Sequence, residues 1–404
     1  MRPTGPARLL ALVVTLAAAA LAACGSASAD GSATAPPTVS DGFPPAQAVS
    51  DAQGSWATLA MGHLADPNNT FGELVYRPGG PDCAGAAPCA PAAWSLTTPP
   101  GVATNGGLVL SADGGGSLTT GFGASLDLTY SPLAVTTDAA ATWATGVLPA
   151  ALVATADSLA ASGPERLALV HAGGGRVLAS TGDLSTWSVL TDRGAVSSAA
   201  TPAGCALGRL TAVAVSARGA DLVAGTCTSG GRAGIFRIGM SGATAARPSV
   251  VPVGPVVGSG VTGPLVVDRL VATPAGLSAL VVAGGGTSTR LLLATSTDGA
   301  ATWSVTATRD VTGPVVAASV DPTGGMVVVV GATGHRSAVA VEPGGTWRTL
   351  PALPAGTAIV VGGPGAAYSA LVPSGSTLTV DVSTGGAWTR SQRLAVPISY
   401  GSSG

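Results

Sequence analysis

The chain has 404 residues, of which 18 are basic and 20 acidic, giving a formal net charge of −2 and only 9% charged positions, against about 25% in an average globular protein. All the basic residues are arginine and they form no stripe that would track a phosphate backbone, which argues against nucleic acid as a partner. The 59 glycines and 30 prolines recur too densely for long helices, yet 46% hydrophobic residues supply the core that a disordered chain lacks.

The first residues read as an address. Arg2 and Arg8 precede the apolar run Leu9–Ala23, which has the layout of an export signal and is short for a bilayer-spanning helix of about twenty residues. The run ends in Leu21-Ala22-Ala23-Cys24, which resembles the bacterial lipobox, whose cysteine is acylated and becomes the mature N-terminus. Each buried acyl CH₂ contributes about 0.8 kcal/mol. Residues 1–23 are therefore a predicted lipoprotein signal peptide and Cys24 a predicted lipidation site, placing the protein on the extracytoplasmic face of a cell membrane. Cleavage after Ala27-Ser28-Ala29, giving an unanchored secreted protein, is the alternative. Residues 24–53 are rich in Ser, Ala, Gly, Thr and Pro, including Pro36-Pro37 and Pro44-Pro45, and read as a flexible tether to a folded domain spanning 54–404.

That domain repeats. Thr136-Thr137-Asp138-Ala139-Ala140-Ala141-Thr142-Trp143 recurs almost unchanged as Ser296-Thr297-Asp298-Gly299-Ala300-Ala301-Thr302-Trp303. It recurs more loosely as Ser180-Thr181-Gly182-Asp183-Leu184-Ser185-Thr186-Trp187, and in eroded form before Trp347 and Trp388. With Trp94, and with Phe236 standing in for a tryptophan, the spacing defines seven units of about 50 residues, the length of a four-stranded propeller blade. Each unit reads as short strands separated by glycine turns, as in Leu167–His171, Gly173–Gly175 and Arg176–Ser180, or Leu277–Val282, Gly284–Gly286 and Arg290–Ala294. The runs are continuously apolar rather than alternating, which predicts sheets buried on both faces. The final segment Arg393–Tyr400 is expected to close the ring against Trp56–Met61.

The octapeptide S/T-x-D-x-x-x-T-W resembles the Asp-box, or BNR repeat, of sialidase-like β-propellers, with alanine at the fifth position where the family often has glycine. The resemblance implies an all-β propeller of about seven four-stranded blades, six or eight being possible. It also implies a structural role on the outer rim for Thr136, Asp138, Thr142, Trp143, Ser180, Asp183, Thr186, Trp187, Ser296, Asp298, Thr302 and Trp303. An aspartate in a tight turn accepts N–H groups that the turn takes out of the strand ladder.

Candidates for chemistry are few. Beyond Cys24 the chain has Cys83, Cys89, Cys205 and Cys227, an even number that suits disulfides in an exported protein. Cys205 and Cys227 flank adjacent predicted strands and are the favoured pair; Cys83 and Cys89 would clip a short loop. No C-x-x-C occurs and His63, His171 and His335 stand in different units, so no metal or other cofactor is predicted. The sialidase resemblance would imply an arginine trio, a Tyr/Glu nucleophile pair and an aspartate. The chain has only Glu73, Glu165 and Glu342, and Tyr76-Arg77-Pro78 is a distant echo of the family's Arg-Ile-Pro motif. The sequence-based expectation is thus a membrane-anchored, non-catalytic binding or scaffolding module for a protein or glycan, with no catalytic residue assigned. A sialidase-type glycoside hydrolase is the alternative.

Overall fold

Glycine turns punctuate Val-, Ala- and Leu-rich runs along the whole chain, and in the computed structural model they fold as successive antiparallel hairpins. The structure describes residues 46–398 apart from 52, 64–69, 80–91, 100–107, 113–116, 123–128, 151–157, 172–173, 183, 229–231, 240–247, 256–260, 262, 286–287, 333 and 364–366. The signal segment, Cys24, Cys83, Cys89 and Asp183 lie outside the described residues.

The described residues form twenty-eight strands in seven groups of four. Unit 1 holds β1 (Gln47–Asp51), β2 (Gly54–Gly62), β3 (Thr70–Pro78) and β4 (Ser95–Leu96). Unit 2 holds β5 (Leu108–Ala112), β6 (Leu118–Phe122), β7 (Ser131–Thr136) and β8 (Ala144–Leu148). Unit 3 holds β9 (Ser158–Ser162), β10 (Glu165–Val170), β11 (Arg176–Thr181) and β12 (Ser188–Asp192). Unit 4 holds β13 (Leu207–Val215), β14 (Asp221–Cys227), β15 (Gly234–Gly239) and β16 (Ser249–Pro252). Unit 5 holds β17 (Leu265–Thr273), β18 (Gly276–Gly285), β19 (Ser288–Ser296) and β20 (Ser304–Thr312). Unit 6 holds β21 (Val315–Val320), β22 (Met326–Ala332), β23 (His335–Val341) and β24 (Arg348–Thr349). Unit 7 holds β25 (Ile359–Gly362), β26 (Tyr368–Ser374), β27 (Thr377–Ser383) and β28 (Thr389–Ala395). Within each unit the strands pair antiparallel in chain order.

The core lies between the units. Leu74 and Tyr76 of unit 1 meet Leu118 and Phe122 of unit 2, and Leu133 of unit 2 meets Ala168 and Val170 of unit 3. Similar apolar seams join units 3, 4 and 5, units 5 and 6, and units 6, 7 and 1, so the stack returns on itself. Runs such as Met326–Gly331 and Ile359–Gly362 are buried throughout, as strands covered on both faces must be.

Each of the six repeat tryptophans directly precedes the fourth strand of its unit: Trp94, Trp143, Trp187, Trp303, Trp347 and Trp388 stand immediately before β4, β8, β12, β20, β24 and β28. Unit 4 has no such residue: Pro248 precedes β16. Phe236 lies inside the third strand, β15, paired with Val223 of β14, so spacing alone gave it the wrong place in the repeat. Two further expectations need correcting. Arg393–Ala395 end β28 and pair with β27, inside the last unit rather than against Trp56–Met61. β1 occupies Gln47–Asp51, within the stretch that reads as tether, because Ala48 and Val49 bury in the seams beside unit 1.

Between units 3 and 4 runs α1 (Arg193–Ala200), capped by the Asp192 carboxylate, which accepts from Ala195 N at 2.8 Å. A disulfide joins Cys205 to Cys227, stapling the approach of β13 to the end of β14.

Candidate functional site

The first strands of units 1 to 5 wall an axial cavity of about 80 Å³. Its lining is small and mixed: methyl groups of Ala48, Ala160 and Val213, the hydroxyls of Ser50, Ser111, Ser158 and Thr211, and one charged couple, Asp268–Arg269. Two hydroxyls tie neighbouring first strands together. Ser158 Oγ accepts from Val213 N at 3.3 Å, linking β9 to β13, and Thr211 Oγ1 donates to Val267 O at 2.7 Å, linking β13 to β17.

The couple arises from a backbone irregularity. β17 slips against β18 between Val267, opposite Val281, and Arg269, opposite Leu280, so Asp268 is an extra residue in a bulge. Arg269 Nη1 donates to Asp268 O at 2.8 Å and lies 3.3 Å from Asp268 Oδ2. The side chains are 19% and 29% exposed respectively, and Arg269 Nε and Asp268 Oδ2 are buried without a hydrogen-bond partner. Opposite charges in contact make the couple neutral as a whole.

The Asp-box turns lie elsewhere, between the third and fourth strands. Asp138 Oδ1 accepts from Thr142 N at 2.9 Å and from Thr136 Oγ1 at 2.8 Å, while Oδ2 accepts from Thr142 Oγ1 at 2.6 Å. Asp298 makes the same set with Thr302 N (2.9 Å), Ser296 Oγ (2.9 Å) and Thr302 Oγ1 (2.6 Å). The threonine hydroxyl, then the backbone N–H, hold both carboxyls below the usual carboxylate range. In the third copy Ser180 is buried at the end of β11, and Thr186 is exposed beside Trp187. Trp187 Nε1 donates to Leu184 O at 3.0 Å and Val147 O at 3.1 Å, the second contact reaching unit 2.

The sialidase-type side chains are dispersed. Glu73 accepts from Thr98 Oγ1 at 2.6 Å, and burial outweighs that bond in raising its carboxyl. Tyr76 donates to Gln53 O at 2.8 Å in the seam with unit 2. Tyr368 is hydrogen-bonded to Arg348, whose guanidinium stacks over its ring, and Glu342 pairs with the same arginine. Glu165 faces Asp221 across units 3 and 4. Arg77, the echo of the family's arginine motif, is buried and faces unit 7: it donates to Ser369 Oγ (2.9 Å), Gly362 O (3.0 Å) and Ser55 Oγ (3.0 Å). Sequence reasoning missed Asp268–Arg269. The available signal was two adjacent charges inside an apolar strand of a chain poor in charge.

Seven four-stranded antiparallel units around an axial cavity define a β-propeller. The fold is shared with a candidate 6-phosphogluconolactonase from Bacteroides fragilis (12% identity, 86% of this chain and 96% of that one covered, TM-score 0.50). A protein from Lactobacillus plantarum (11%, 85% and 97%, 0.48) and YCF48 bound to a D1 peptide (13%, 85% and 90%, 0.39) are also similar. No protein-family model and no curated protein sequence matches the chain.

Proposed function

We propose that this propeller is an extracytoplasmic module, anchored through acylated Cys24 and held off the membrane by the stretch between Cys24 and β1, that binds or scaffolds a protein or glycan without catalysing a reaction. The observation that carries the reading is the axial cavity: its charged groups are one self-neutralised couple, while Glu73 and Glu342 are engaged within their own units and Glu165, Tyr76 and Tyr368 in the seams between units. A retaining glycosidase needs a nucleophile and an acid/base converging on one bond, and these side chains converge on none. The lipobox-like Leu21-Ala22-Ala23-Cys24 supports the anchor.

Two measurements test this. Labelled fatty acid should be incorporated by the wild-type chain and lost in Cys24→Ser; equal labelling of both would remove the anchor. Purified protein should leave fluorogenic sialosides and other aryl glycosides intact, and turnover abolished by Arg269→Gln would replace the binding module with an enzyme.

A further inference from the structure

Regular pleating sends neighbouring side chains to opposite faces of a sheet. At β17 the bulge places the consecutive residues Asp268 and Arg269 together in the wall of the axial cavity. Within the couple Arg269 Nε is buried with no hydrogen bond, and Asp268 Oδ2 has only the 3.3 Å ion-pair contact with Arg269 Nη1. Elsewhere, Arg290 and Asp310 form a two-pronged pair on the exposed rim, with Nε and Nη2 donating at 2.7 and 2.9 Å. An under-satisfied couple at the axis of a chain with 9% charged residues is the kind of local inconsistency that folds retain at sites of use.

We infer that Asp268 and Arg269 anchor a ligand in the axial cavity, and that this ligand is a compact, uncharged, polyhydroxylated ring such as a monosaccharide or cyclitol. The inference rests on the binding reading above. A carboxylate beside a guanidinium cancels the field that would select an anion or a cation. A hydroxyl donates to the first and accepts from the second, and two adjacent hydroxyls do both at once. About 80 Å³ of cavity holds roughly five to eight waters, or about 150–240 Å³ of liquid, the bulk of one sugar or cyclitol ring. Ser111 and the methyl groups of Ala48 and Ala160 supply the mixed polar and apolar wall that a polyol ring presents in return. Among the described lining residues there is no aromatic platform on which a ring could stack, so the hydroxyl contacts with the couple carry the binding.

Saturation-transfer NMR and calorimetry on the full chain, with myo-inositol, D-glucose, D-gluconate and ethanolamine as probes, test the inference. Both neutral rings should bind, and Asp268→Asn and Arg269→Gln should each weaken them by about tenfold or more, with thermal melts reporting that the variants are folded. Tighter binding of gluconate or ethanolamine than of the rings would overturn the ligand class. Wild-type affinity in both variants would overturn the anchor. Glycoside turnover by a protein that binds the rings would end the non-catalytic reading and support this site. Silence of both rings in a chain that still captures a protein partner would do the reverse.

Discussion

Three alanines of the Asp-box turns carry positive φ: Ala139 (58°), Ala140 (69°) and Ala300 (69°), while Gly299 has φ 74° at the position matching Ala139. The left-handed region costs a residue with a Cβ about 1–2 kcal/mol, and glycine gives back about 0.5–1 kcal/mol of that through its freer unfolded chain. The turn holds because the Asp138 and Thr136 side chains supply its hydrogen bonds: Thr136 Oγ1 accepts from Ala140 N at 2.9 Å, and Asp138 Oδ1 from Thr142 N. Ala139 is exposed, so no packing opposes relief of the strain. Ala139→Gly should therefore raise stability by about 0.5–1 kcal/mol in denaturant titration, and an unchanged or lower midpoint would show that the turn is not strained. Ala300 is fully buried beside unit 4, so removing its methyl gives up about 0.8 kcal/mol and cancels most of the gain there. The boxes were legible in the sequence because this chemistry is local. The strain was not, because it depends on how two strands meet across the turn.

Units 3 and 4 bring Glu165, the first residue of β10, against Asp221, the first of β14. Burial, then the Glu165 charge, push the Asp221 carboxyl up to about 7 from an ordinary 3.8. The folded chain thus holds a proton that the unfolded chain has released, and stability falls as pH rises from about 4 to about 7, then levels off. Asp221→Asn should flatten that fall and leave the variant more stable than wild type at pH 8; parallel pH–stability curves would contradict a shared proton. The Asp138 and Asp298 carboxyls act in a separate window, since their depressed values withdraw stability only as pH drops below the ordinary carboxylate range. At the level of elements the sequence was informative where a pattern is local: hairpins such as β10–β11 and β22–β23 lie where glycine turns divide apolar runs. The β17 bulge and the carboxyl pair were not, because the first is set by pairing with β18 and the second by packing between units.

The whole molecule closes between units 7 and 1. β28 completes its own sheet, and β1 pairs in parallel with β21 of unit 6, through Gln47–Ala318, Ala48–Ser319 and Val49–Val320. One backbone bond, Gly62 N donating to Gly375 O at 2.9 Å, and several side chains close the rest. Gln392 Nε2 donates to Trp94 O at 2.7 Å and its Oε1 accepts from Trp94 N at 2.8 Å. Arg77 reaches Ser369 and Gly362 from unit 1 with its guanidinium stacked 5.1 Å over Trp94. Residues nearly three hundred positions apart meet here, so no local pattern announced the clasp and Arg77 was read as an echo of an active-site motif. Burial lowers Arg77 to about 10, which leaves it charged at neutral pH and dependent on these acceptors. A lysine keeps the charge but not the planar fork that serves three acceptors at once. Arg77→Lys should cost about 1.5–3 kcal/mol, the range for hydrogen bonds to a charged group. The loss should also have a location. Amide exchange should quicken first in β1–β4 and β25–β28, and last in unit 4, where Cys205–Cys227 constrains the chain. Uniform acceleration through all seven units would mean that the ring melts as one body and that Arg77 is an ordinary core contact rather than its clasp.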